Sequence, residues 1–364
     1  MLHIHNKKLW SLLLLPCLYM PVSSVAKTQK HELTQDQVYS EIKQNLETHL
    51  FSLPPRIQGH YAIRQFRMTG DEKYAQGSLV DLLTIAERQA YYACQLDDKA
   101  FIERESKLLT SKLGNGPRAK LRKKAVKAHP EFVLLSDTVL RYASRIDEFG
   151  FTGPCHEQAM KTLKQYDMKS AFTDPKMIEA WAAQLVNYVY WQKQLGISDY
   201  SKEYKAAFQA TYPDSQDVDL SKRQYRNKLY GLTHFVLASS GYYQRYVDLK
   251  DYQWILDYFE NNIDRILKDA TEDIITEVGI VFQITGSADH PVVSRIKQHL
   301  VNAYSTEHKM ILSPSGRANL ATGEHRNVLA MMLFKWPETL HQGPYLAEIK
   351  STEKYLPKLV KPKP

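Results

Sequence analysis

Residues 322–327 read Thr-Gly-Glu-His-Arg-Asn and run straight into Val328-Leu329-Ala330-Met331-Met332-Leu333-Phe334. A carboxylate, an imidazole and a guanidinium at the mouth of an apolar helix can pass a proton and hold an anion. The same residues also suit a plain structural role: Thr322 as N-cap, with Glu324 in the first turn complementing the helix dipole. Two further stretches carry similar groups. Asn227, Tyr230 and His234 recur at three and four, and so share one helical face. Asp273 and Glu277 are four apart in the next apolar segment.

Two reactions fit these residue types. Glycoside hydrolysis needs two carboxylates across the bond, and Glu277 and Glu324, on successive apolar segments, could face each other. Polysaccharide β-elimination needs a Tyr or His to take the proton beside a uronate carboxylate, and Asn, Arg or His to neutralise that carboxylate. Tyr230, His234, Glu277 and Glu324 are therefore the candidate catalytic residues. Arg64, Asn227, Tyr242, His325 and Arg326 are the candidate substrate-binding residues, for an acidic polysaccharide or oligosaccharide. The Tyr-rich stretches at 188–191 and 242–243 could stack sugars, although aromatics at helical spacing commonly form core.

Other chemistries find no signature. The chain has no Gly-x-Ser-x-Gly elbow, no phosphate loop, no dinucleotide fingerprint and no His-Glu-x-x-His pair. Cys94 with Cys155-His156-Glu157 is a poor zinc set, and a single disulfide or two buried thiols are the simpler uses of the two cysteines. No metal and no cofactor are expected. The formal net charge of +8 permits an acidic ligand. The run Arg118 to Lys127 reads as a solvated helical excursion rather than a nucleic-acid site.

Positioning these groups requires helices. Apolar residues recur at three and four, as in Val38, Ile42, Leu46 and Leu50, and alternating β-branched runs are missing, so the class is all-α. Two turns resemble each other: Met68-Thr69-Gly70-Asp71 and Ile284-Thr285-Gly286-Ser287. In each, an apolar helix ends at Gly, which takes the left-handed cap, and a more polar helix follows. Six apolar helices start near residues 57, 132, 177, 227, 272 and 324. Amphipathic partners follow the first five at 72–95, 155–166, 199–211, 251–268 and 289–304. Helix 34–53 would close a ring beside the last apolar helix, which makes six inner and six outer helices in an (α/α)6-type toroid. Mostly long connections gather at the N-terminal ends of the inner helices, the end where a cleft is expected.

The Thr-Gly-Asp hairpin and the six-fold alternation resemble the α/α-toroid superfamily of six-hairpin glycosidases and toroid polysaccharide lyases. That resemblance implies a glycan-active protein. Tyr230-Gly231-Leu232-Thr233-His234 and Gly323-Glu324-His325-Arg326-Asn327 are also similar to an uncharacterised secreted family of marine gamma-proteobacteria, which implies no activity. A non-catalytic periplasmic binding or scaffold protein is the alternative.

Lys7 and Lys8, a short apolar run and Ser24-Val25-Ala26 read as a signal peptide cut after Ala26, so residues 27–350 form the domain and 351–364 a Pro/Lys-rich tail. The expected location is periplasmic or secreted. The apolar run is shorter than the roughly 20 residues of a membrane span, and no transmembrane segment is expected.

Overall fold

A computed structural model describes residues 33–363; the expected signal peptide lies outside the described residues. The described chain is all-α. It begins with α1 (Gln35–His49), α2 (Pro55–Thr69), α3 (Glu72–Ala93), α4 (Lys99–Ser111) and α5 (Pro117–Ala125). Next come α6 (Phe132–Leu134), a π-helical stretch (Leu135–Leu140) and α7 (Arg141–Glu148), which run on as one segment. Then follow α8 (His156–Gln165), α9 (Met168–Thr173), α10 (Pro175–Gln194), α11 (Ser201–Thr211) and α12 (Lys222–Ser239). The last are α13 (Leu249–Asn261), α14 (Ile263–Asp269), α15 (Glu272–Ile284), α16 (Pro291–Ala303), α17 (Leu320–Phe334) and α18 (Lys350–Glu353). Strands are confined, among the described residues, to two-residue pairings of Phe151–Thr152 with Lys361–Pro362 and of Tyr304–Ser305 with Met310–Ile311.

Local signals set these boundaries. Thr34 and Ser221 close capping boxes at α1 and α12, and Asp71, Asp98, Asp174 and Asp248 cap α3, α4, α10 and α13 through side-chain oxygens. Gly70 ends α2 at φ 69°, a left-handed conformation that costs glycine little, so α3 can start at once. The second Thr-Gly turn differs. Gly286 is again left-handed, but the following helix waits for Pro291 and is capped by His290. Asn319, not Thr322, caps α17, so Glu324 falls in its second turn.

Burial separates fully buried helices from amphipathic ones. Every residue of α15 from Ile274 to Ile284 is buried, as is α17 from Arg326 to Phe334. Such helices can only be core. Neighbours follow chain order: α2 pairs with α3, α3 with α7, α7 and the π-helical stretch with α10, α10 with α12, α12 with α15, and α15 with α17. The last of these returns to α2. The expected packing of the N-terminal helix is present, because α1 lies on α17 and α16 with Val38, Ile42 and Leu46 buried.

Cys94, just past α3, and Cys155, just before α8, form a disulfide, which removes both sulfurs from any zinc reading. The long 96–130 connection contains α4 and α5. The C-terminal stretch is no free tail: Ile349 and Val360 join a buried cluster with Phe149 and Phe151, and the Lys363 ammonium pairs with Asp147.

Candidate functional site

Side chains from five apolar helices and one turn meet in the interior. From α2 comes His60, whose Nδ1 is 2.7 Å from Oε2 of Glu324 on α17. His325, the next residue, meets the His60 ring edge-on with centroids 5.3 Å apart, and its Nε2 is 3.6 Å from Glu277 Oε1 on α15. The other Glu277 oxygen accepts a hydrogen bond from Thr233 Oγ1 at 2.7 Å, and lies 3.9 Å from His234 Nε2 on α12. His234 Nδ1 is 2.9 Å from Asn187 Oδ1 on α10 and 3.4 Å from the Tyr242 hydroxyl. Tyr230 donates to Asp273. Thus Tyr230, His234, Glu277, Glu324, His325 and Tyr242, spread over residues 230–325, are brought together only by the packing of helix on helix.

Burial grades across this cluster. Glu277 and Glu324 are each 1% exposed, whereas the His325 side chain keeps 41% of its surface. Two carboxyls therefore sit beneath a cover of imidazoles that solvent reaches. Burial pushes the Glu324 carboxyl up to about 7, against the lowering pull of Arg64, His325 and Arg56. Burial also drives His60 well below the usual imidazole range, with the Arg64 and His325 charges adding to it. His234 is lowered by burial too, although Glu277 opposes. Burial alone would raise Asp273, but hydrogen bonds from Thr271 and Tyr230 outweigh it and hold the carboxyl low. Tyr230 and Tyr242 are both raised well above a free phenol, first by burial.

Tyr242 owes its position to strained backbone. Tyr242 and Tyr243 have φ of 56° and 74°, conformations that side-chain-bearing residues rarely adopt and that the surroundings must over-determine. Arg67 supplies that restraint. Its buried guanidinium donates to the carbonyls of Tyr242 at 3.0 Å and Gly343 at 2.8 Å, and to Glu148 at 3.0 Å. The Tyr243 N–H meets Ser240 Oγ at 3.0 Å. Strain held this way keeps a phenol on His234.

Cations surround the cluster. Arg64 lies 5.6 Å from the Tyr243 ring centroid, and its buried Nε has no hydrogen-bond partner. Arg56, Arg64 and Arg118 have no carboxylate within ion-pair reach among the described residues, and Arg64 and Arg118 both act on His234. The arrangement can hold an anionic group and move a proton beside it.

Two expected residues stand apart. Asn227 turns its amide to the carbonyls of Ile178 and Glu179 and to the Tyr212 hydroxyl, tying α12 to α10. Arg326 donates to the Ile311 carbonyl and braces the loop before α17. Both are on the right helices but face away from the cluster. Asn187 and Thr233 join without having been singled out. The cluster also lies deeper than the helix N-termini: Asn187 and His234 are in the second halves of α10 and α12, and Tyr242 follows the end of α12.

No curated protein and no solved structure matches the chain. A family model does match, over residues 35–363, and so covers every side chain of the cluster. The chain belongs to the family described as Domain of unknown function (DUF3541).

Proposed function

We propose that this chain is an exported α/α-toroid protein that cleaves an acidic polysaccharide by β-elimination. The cyclic order of helix neighbours, from α2 through α17 and back to α2, supports the ring. Export and a periplasmic or secreted location rest on the Lys7-Lys8 charge, the apolar run and Ser24-Val25-Ala26.

The observation that carries the reaction is the contact of His234 Nδ1 with both the Asn187 amide oxygen and the Tyr242 hydroxyl. An amide oxygen 2.9 Å from Nδ1 favours the tautomer with the proton on Nδ1, which leaves the Nε2 lone pair basic. Burial keeps that imidazole neutral, as a base must be. His234 Nε2 takes the proton α to a uronate carboxylate, the electrons form the ring double bond, and the adjacent carbon–oxygen glycosidic bond breaks. Tyr242, un-ionised because its pKa is raised, gives its proton to the departing oxygen and regains one from His234. Arg64, with its buried and unpartnered Nε, neutralises the uronate carboxylate, which is what makes its α-proton removable.

Hydrolysis is the second reading, because a Glu324 carboxyl near 7 is held protonated as a general acid would be. One experiment separates them. The purified protein is incubated with acidic polysaccharides and followed both by absorbance of new double bonds and by reducing ends. Elimination raises both signals; hydrolysis raises reducing ends alone. Binding without either signal would leave the chain a non-catalytic glycan-binding protein.

A further inference from the structure

A cavity of about 790 Å³ opens beyond the C-terminal ends of α7, α10 and α12, on the side away from His60 and His325. Of the cluster side chains only Tyr242 lines it, so the strained turn is a wall shared by the two spaces. Its size falls in the roughly 300–1,000 Å³ range of small-molecule sites. Aromatic residues from different helices form its sides. The Tyr190 and Tyr252 hydroxyls meet at 3.3 Å across α10 and α13, and Trp254 packs edge-on against Phe235.

Charge gives the cavity a sign. Two of its three carboxylates are already spoken for, Asp147 by Lys363 and Glu148 by Arg67, which leaves Asp251. Lys193 is paired with Asp199. Against the single free acid stand Lys202, Lys205 and Arg245, none of which has a carboxylate partner among the described residues. Lys205 instead sits 4.7 Å from the Trp254 ring centroid. Flat aromatic faces beside uncompensated cations suit a ring with apolar C–H faces and a negative charge.

We infer that this cavity is a second ligand site, taking an acidic oligosaccharide, distinct from the histidine cluster. The kind of ligand rests on the glycan reading above; the cavity, its aromatic walls and its charge do not. An occupant would touch the turn that aims Tyr242 at His234.

The test is calorimetric titration of the H234A protein, which leaves substrate uncut, with saturated hexuronate tetrasaccharides, each epimer in turn. Two molecules should bind per chain. Adding K202E and K205E should abolish one of them, with an unchanged melting temperature, and the neutral hexose tetrasaccharides should bind that site at least tenfold more weakly. The same double substitution in the otherwise natural chain should leave the initial rate of double-bond formation unaltered. Binding unaffected by K202E/K205E, or no binding of any tetrasaccharide, overturns the inference. If the natural chain forms no product but K202E/K205E still costs a bound tetrasaccharide, elimination fails and the second site stands. If product forms and the lysine substitutions change no binding, the second site fails and elimination stands.

Discussion

His60 and Glu324 are 264 residues apart in the chain, yet an imidazole nitrogen of one lies 2.7 Å from a carboxylate oxygen of the other. This contact joins the first apolar helix to the last, and neither partner carries its ordinary charge. Glu324 is raised to about 7 and His60 is depressed, both first by burial. Near neutrality the Glu324 proton is therefore held beside an imidazole that burial keeps uncharged.

The signs of the two shifts give a stability prediction. A carboxyl raised from 4.5 to about 7 adds stability that is complete below pH 4.5 and is lost as pH rises through 7. His60 acts oppositely: its depressed value gives stability present above about pH 6.5 and lost as pH falls. E324Q stays neutral at every pH. It should match the natural chain at pH 5 and exceed it at pH 8 by on the order of 3 kcal/mol. Urea unfolding at both pH values measures this, and parallel stability curves would show that Glu324 titrates normally.

The second prediction concerns α1. Ile42 is fully buried and α1 packs on α17, the helix that carries Glu324 and His325. I42A should cost roughly 2–5 kcal/mol, because a core cavity is left behind. The loss should be global. A variant that melts like the natural chain would mean that α1 is an appendage rather than part of the core.

The helical frame is legible in the sequence because its signals are local. Apolar spacing at three and four, Asp and Ser caps and the Gly70 turn each act within a few residues, and predicted and observed starts differ by at most five or so. The fourth amphipathic partner is the exception, splitting into α13 and α14 at Asn262. The site is legible only in part. Reading helix N-termini finds His325 but also takes in Arg326, which lies about 100° further round the same helix and faces the Ile311 carbonyl. Asn187 is hidden because Val186-Asn187-Tyr188-Val189 reads as core, and its partner His234 is 47 residues away. Tyr242 is visible as a residue, but its reach to His234 depends on a left-handed backbone that no Tyr announces.

Asn227 tests the distinction between these two asparagines. Its amide spans two α10 carbonyls and the Tyr212 hydroxyl. N227A should lower stability by roughly 1–3 kcal/mol through the acceptors left unpaired. Turnover per folded molecule should be unchanged. A fall in kcat with no fall in melting temperature would place Asn227 at the substrate instead.

Asn187 should behave in the opposite way, and this prediction bears most directly on the chemistry. Asn187 Oδ1 fixes His234, and Tyr242 lies on the same ring nitrogen. H234A and Y242F each remove a proton-transfer group and should cost about 10²–10⁴-fold in turnover. N187D is the informative change. A carboxylate still accepts from Nδ1, so the tautomer survives, but its charge favours the protonated imidazole and raises the His234 pKa. In the natural chain burial lowers that value, so activity should persist below the ordinary imidazole range on the acid side. N187D should move the acid limb of the pH–rate profile upward while recovering much of its rate at high pH. N187A should lose rate at all pH values. If N187D and N187A shared one profile, with the acid limb where the natural chain has it, His234 would not be the base, and the case for elimination would pass to Tyr230 and its bond to Asp273.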